Sequence, residues 1–388
     1  MTMNHTPHRW AISLFLLLSF SSLNAQEFVE KITKFFEFPI GKQRDSTQFQ
    51  NKMVFAPVAQ YEPATSLGLG VGGKLLFKPR GVGADTRTSN IPFSITYTLR
   101  NQVIFSAGYT VFFNHEDYLL KGVTEFSQFP LKYFGIGNNT LELNSQEITY
   151  TNFLIEPLLL RKVHPGIFVG GGIRYNTFRG VKLLEPHGDS PADTPLQDEL
   201  GSTSLGLELA ITVDKRDNVL NASEGIFAEF THGLYNEALG STHDFMLTRL
   251  DYRQYFKVWE ERPDILAFQF FGRLAWNGTP PLELSALGGP EIMRGFQEGR
   301  FRDRYAFFTQ AEYRWQVLDR IGLVFFAGAG EVSNELTDLS LSDLKYSLGS
   351  GLRIKIVKSE NLNIRFDYAY GLGTESDRNF YLGIAESF

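Results

Sequence analysis

The chain has 388 residues, a formal charge of −6 and no cysteine, and it is 43% hydrophobic and 14% aromatic. Without cysteine there is no disulfide framework and no thiolate metal site, and the mild acidity, with no basic stripe interleaved with aromatics, excludes a nucleic-acid partner. Beyond the N-terminus no segment approaches the run of about 20 apolar residues that a helix needs to cross a bilayer.

The chain begins with a targeting segment. Arg9 gives a basic start, helped by His5 and His8, and Ala11 to Phe20 form an apolar core. Ser21 to Ala25 make a small, polar exit, so cleavage is expected before Gln26. This is the layout of a secretory signal peptide over 1–25, too short to span a membrane. The following stretch, 26–51, is expected to be a short periplasmic segment. Phe28, Ile32, Phe35 and Phe36 lie near one face if its first part is helical.

From Lys52 the pattern becomes period two, in segments separated by turn residues. In Asn361 to Gly371, Ile364, Phe366, Tyr368 and Tyr370 alternate with Asn363, Arg365, Asp367 and Ala369. In Thr309 to Val317, Ala311, Tyr313, Trp315 and Val317 alternate with Gln310, Glu312, Arg314 and Gln316. Alternation alone does not say which face is the core. The leader, the segment lengths and the abundant Tyr and Phe favour a barrel with an apolar outer face in lipid and a polar lumen. Strands are expected near 52–60, 65–78, 91–100, 103–114, 117–130, 148–163, 166–177, 202–214, 226–237, 243–257, 264–276, 305–316, 321–332, 346–356, 362–371 and 379–388. The fold class is therefore all-β: one transmembrane antiparallel barrel over 52–388, with about sixteen strands, an even number as bacterial barrels have. Long connections near 178–201 and 277–304 fall at one end, and short turns such as Gln316 to Arg320 at the other. The segment 79–90 is the exception, long where a short turn is expected.

Two stretches carry a family resemblance. Leu287 to Phe301 reads LGGPEIMRGFQEGRF and precedes a strand with QAEYRW; Val213 to Gly225 reads VDKRDNVLNASEG. With the aromatic last strand, they resemble the BamA/TamA-type bacterial surface antigen family of Gram-negative outer-membrane barrels. The resemblance implies a long loop before the twelfth strand, folded into the lumen with an Arg-Gly-Phe tip. The matching residues are Arg294, Gly295 and Phe296, preceded by Gly288 and Gly289. The chemistry suits them. A guanidinium can pin a loop by parallel hydrogen bonds to a carboxylate, Gly295 lets the backbone turn where a side chain would clash, and Phe296 can bury its ring on the inner wall. Glu312 faces the lumen one strand later and is the expected acceptor. The family's aspartate on the following strand is replaced by Gly328, so Glu331 or Asp303 is the expected substitute. Tyr381 to Phe388 resemble the C-terminal insertion signal, with Gly383 and Phe388 fitting and Glu386 where an apolar residue is usual. In VDKRDN, Asp214, Arg216 and Asp217 are read as a turn held by Asx-type hydrogen bonds and local charge pairs.

Members that insert or export protein carry periplasmic POTRA domains, and none fits between Gln26 and Lys52. This is therefore expected to be a short member lacking them. The function that the resemblance implies is assistance in inserting or translocating polypeptide, or lipid, at the outer membrane. A periplasmic or outer-membrane partner, outer-membrane lipid and a client polypeptide come with that reading. The alternative is a passive pore or the structural anchor of a complex. Catalysis is not expected. His115, His164, His187, His232 and His243 lack metal-ligand spacing, no Gly-x-Ser-x-Gly elbow is present, and the clusters Gly70, Gly72, Gly73 and Gly170, Gly171, Gly172 lie on expected strands. No metal and no cofactor is expected.

Overall fold

The computed structural model describes residues 37–40, 51–62, 66–83, 85–99, 101–183, 200–219, 221–357, 362–373, 375–384 and 386–388. The leader and most of the 26–51 segment lie outside them.

Alternating residues on a strand face opposite ways, and here the alternation is inside out. On the strand Ser202–Asp214, Leu207, Leu209 and Ile211 are 56%, 68% and 46% exposed, while Ser204, Glu208 and Thr212 between them are buried. Tyr368 and Tyr370 are exposed, and Arg365 and Asp367 are buried. An apolar outer face with charges inside suits lipid, where every backbone group must also be paired within the protein.

The strands that answer this demand are β1 (Lys52–Glu62), β2 (Ser66–Phe77), β3 (Ser89–Thr98), β4 (Val103–Phe113), β5 (Tyr118–Tyr133), β6 (Gln146–His164), β7 (Ile167–Leu183) and β8 (Ser202–Asp214). They continue as β9 (Gly225–Tyr235), β10 (Phe245–Lys257), β11 (Ile265–Asn277), β12 (Tyr305–Leu318), β13 (Ile321–Ser333), β14 (Lys345–Val357), β15 (Leu362–Leu372) and β16 (Ser376–Ile384). Each pairs antiparallel with the next, and β16 pairs with β1, so the ring of pairings closes. A three-residue strand, Glu37–Pro39, lies outside this ring and pairs with the start of β1.

Among the described residues the closing ladder is short. Phe380 pairs with Tyr61 and Tyr381 with Gln60 between β16 and β1, whereas β15 and β16 pair from Ile364–Ile384 to Leu372–Ser376. The last strand does not run to Phe388 as the alternation suggests; it stops at Ile384. On β16, Asn379 and Tyr381 face inward while Phe380 is exposed. Continued in that register, Glu386 would face lipid, which is costly for an ionised carboxylate. The chain turns into the lumen instead, and Glu386 and Phe388 are both buried there.

The connection from β11 to β12 also enters the lumen. It carries a small hairpin, Ser285–Leu287 paired with Phe301–Asp303. Leu287, Met293, Phe296 and Phe301 form one apolar cluster with Ala306 and Phe308 of β12. The segment between β2 and β3 is long for a reason: Arg87 reaches back across the same rim as the chain ends. It donates to Glu116 at 3.2 Å, pairs with Asp214 at 3.1 Å and lies 4.4 Å over the Phe112 ring.

Candidate functional site

The loop tip is built by three residues with separate tasks. Arg294 is fully buried and meets two carboxylates. One guanidinium nitrogen donates to Asp367 Oδ2 on β15 at 2.8 Å, and the other to Glu312 Oε1 on β12. Its plane sits 3.6 Å from the centre of the Phe326 ring, a cation–π arrangement. Gly295 has φ +111, and a Cβ there would lie 2.4 Å from the Tyr370 carbonyl carbon and 2.5 Å from Gly371 N, so only glycine fits without displacing backbone. The Phe296 ring packs over Gly371, where a Cβ would come within 2.6 Å of it. Gly288 also has positive φ, and its Cβ would collide with Gln297 O; Gly289 has positive φ and donates its N–H to Phe296 O at 3.1 Å.

The acceptor on β15 was not anticipated. Glu331 accepts from Ser340 N and Asp303 from Arg304 N, so neither serves Arg294. At Gly328 a Cβ would stand 3.1 Å from Thr309 O and 3.5 Å from Met293 Sδ. The loop's own methionine fills the space that a carboxylate on β13 would need. Asp367 is legible as lumen-facing in NIRFDYAYG, but nothing local in the sequence joins it to an arginine on another strand pair.

From Arg294 the ion network spreads to the chain's last residues. Arg314 donates to Glu312 Oε2 at 3.0 Å and to the Phe388 backbone oxygen at 2.8 Å. Arg353 donates to Asp367 Oδ1 and to Glu386 Oε2, the latter at 2.7 Å, and Asn363 donates to Glu386 Oε1 at 2.6 Å. Three guanidinium groups therefore face these three carboxylates, and buried Arg365 lies near Asp367 as well. Tyr381 turns inward from β16: its hydroxyl accepts from Gly295 N at 3.2 Å and donates to Phe296 O at 3.3 Å. Asn379 donates to Gly295 O at 2.7 Å. Gly383 lies beside the Arg365 side chain. The Phe388 ring packs with Ala222, Tyr255 and Ala267 on the far wall. The loop tip and the last strand are thus joined directly as well as through shared arginines.

The loop is fixed at two further levels. Glu283 at its base accepts two hydrogen bonds from Arg174, at 3.1 and 2.9 Å, and one from Asn176 at 2.8 Å. Burial alone would raise this carboxyl, but Arg174 and Arg273 hold it below the ordinary range. On the return, Arg300 donates to Thr140 Oγ1 and O, both at 2.9 Å, and to Glu375 at 3.1 Å. Between loop and wall a cavity of about 570 Å³ remains, lined by Glu125, Tyr150, Glu291, Glu298 and Arg302. The turn VDKRDN has the bonds read from its sequence: Arg216 donates to both oxygens of Asp214, at 2.8 and 3.0 Å, and Asp217 accepts from Ser223 N at 2.9 Å.

A family model described as the Omp85 superfamily domain matches residues 69–388. Among solved structures, BamA from Haemophilus ducreyi lacking POTRA domains 1–3 is similar in fold at 13% identity, with a TM-score of 0.53 over 94% of this chain and 78% of that one. CdiB from Acinetobacter baumannii gives 11% identity and a TM-score of 0.57, covering 90% of this chain and 65% of that one. Comparison with curated proteins returns no match.

Proposed function

The chain belongs to the Omp85 superfamily of outer-membrane β-barrels, and from that premise we propose that it assists insertion or translocation of polypeptide at the outer membrane. The reading rests on the seam. Among the described residues two pairs join β16 to β1, and the end of the chain after β16 turns inside. Separating so short a ladder costs little, since each hydrogen bond contributes only about 0.5–1.5 kcal/mol net. A strand edge freed this way is a template for another strand, because its N–H and C=O groups need partners. In this reading Arg294, with Gly295 and Phe296, anchors the loop, and Glu312 and Asp367 are its acceptors. Tyr381 ties the seam strand to that anchor. Tyr381 to Phe388 act as the insertion signal before folding, and β16 forms one side of the seam after it, at Phe380 and Tyr381. A partner protein supplies the periplasmic capture of clients.

Depletion of the protein followed by quantitative outer-membrane proteomics tests this. The expected result is a selective loss of folded barrels or surface proteins. Unchanged levels and folding of all of them would sink the proposal.

A further inference from the structure

The edge of β1 that faces the seam has two occupants along its length. Near one end Gln60 and Tyr61 pair with β16. At the other end Lys52, Met53 and Val54 pair with Pro39, Phe38 and Glu37. Among the described residues, Phe55 to Ala59 have no strand partner on this edge. The short strand therefore stands where β16 would have continued had it not turned into the lumen.

Its placement is specific. Ile40 N donates to Asn51 O at 2.8 Å, extending the ladder by one bond. The Phe38 ring meets Phe55 edge-on at 5.8 Å, and Phe55 meets Phe93 the same way at 5.9 Å. Phe93 and Phe55 both pair with Gly73, whose missing side chain leaves room for the rings to meet. Phe38 thus adds a third ring to an aromatic row on the outer face. The strand is also a poor template for further growth. Pro39 has no N–H to offer, a device that blunts exposed strand edges.

We infer that Glu37–Pro39 is a resident strand that occupies part of the β1 edge and competes with any incoming strand for it. This deepens the seam reading above and rests on it. Three residue pairs hold the resident, so a longer strand that zips along β1 displaces it. The Lys52–Val54 part of the edge is covered when idle and exposed only on engagement.

The chain's lack of cysteine makes the test clean. Phe38→Cys with Met53→Cys joins two directly opposite residues, and Phe38→Cys with Val58→Cys is the out-of-register control. In oxidised outer membranes the first pair should cross-link and the control should not. Failure of the first pair to cross-link, or equal cross-linking of both, overturns the resident strand. A dye-labelled peptide copying Ser376–Phe388, which in the β16 register reaches Met53, is then titrated onto the detergent-purified F38C/M53C barrel before and after reduction, and onto a variant with Glu37–Pro39 replaced by Gly-Ser-Gly. The oxidised form should bind about tenfold more weakly or worse, because apparent affinity falls with the fraction of free edge. Equal, measurable binding in all three forms overturns competition while leaving the seam reading intact. Binding in none, the replacement variant included, sinks the strand-edge reading and the inference with it.

Discussion

Arg294 answers two buried carboxylates at once, so its removal leaves Glu312 and Asp367 with one guanidinium each, Arg314 and Arg353, in place of two. Breaking a buried pair from one side typically costs about 3–5 kcal/mol. Arg294→Ala should open the loop to protease within 278–304 and lower the temperature at which the barrel loses its compact gel mobility. Unchanged protection and mobility would refute the anchor role. Arg294→Lys should recover only part of the effect, since an ammonium is a point charge without the planar fork that spans both acceptors. Gly295→Ala should release the tip although no polar contact is deleted, because its Cβ would occupy the Tyr370–Gly371 backbone; normal loop protection in that variant would contradict the geometry. Arg294 was readable through the family resemblance of LGGPEIMRGF, and Glu312 through period-two parity. Asp367 and the Glu283–Arg174 pair were not. Each links residues far apart in the chain, and only closure of the ring brings them together.

At the level of elements, the strand reading survives wherever one face meets lipid. It fails where that constraint ends. β7 runs on to Leu183, past the expected 177, because β6 continues beside it at Ile148 and Thr149. β16 stops early because of Glu386. Glu386→Leu removes the penalty for continuing, and should lengthen the β16–β1 ladder and slow entry of a strand at the seam. Cysteine cross-linking between Ile384→Cys and Pro57→Cys, which lie opposite when the register of Phe380 with Tyr61 is continued, should rise in that variant, and an unchanged yield would show that the charge does not set the strand end. Acid offers a second handle. Burial alone would raise the Glu386 carboxyl, but Arg353 and Arg314 outweigh it and hold it below the ordinary range. A depressed folded value means that docking is at full strength above the ordinary glutamate value of about 4.3 and is lost as pH falls through the lower folded value. Accessibility of a Ser387→Cys thiol to a maleimide, read after brief acid pulses and return to neutral pH, should therefore rise only below that range; a rise starting near pH 6 would contradict it.

For the whole molecule, the loop's three points of attachment fill the lumen from one mouth, while Arg87, the 215–224 turn and Phe388 crowd the other. Planar bilayers should show little steady conductance from the native barrel. Deleting 288–300 should produce stable open steps, and a native protein that conducts as freely as the deletion would be a pore. The even strand count has one more consequence. It returns the chain to the rim it left, so the resident strand, the inward tail and the Arg87 bridge share one side of the membrane. The parts held by few bonds sit there, while the opposite mouth is tied down by Arg300 and Thr140. A force or ligand at the opposite mouth reaches the seam along the loop, through the bonds that Arg294, Gly295 and Phe296 make at its tip. The barrel is mechanically one-handed: its loosely held parts lie at the rim where the chain enters and leaves, and its firmly tied ones at the opposite mouth.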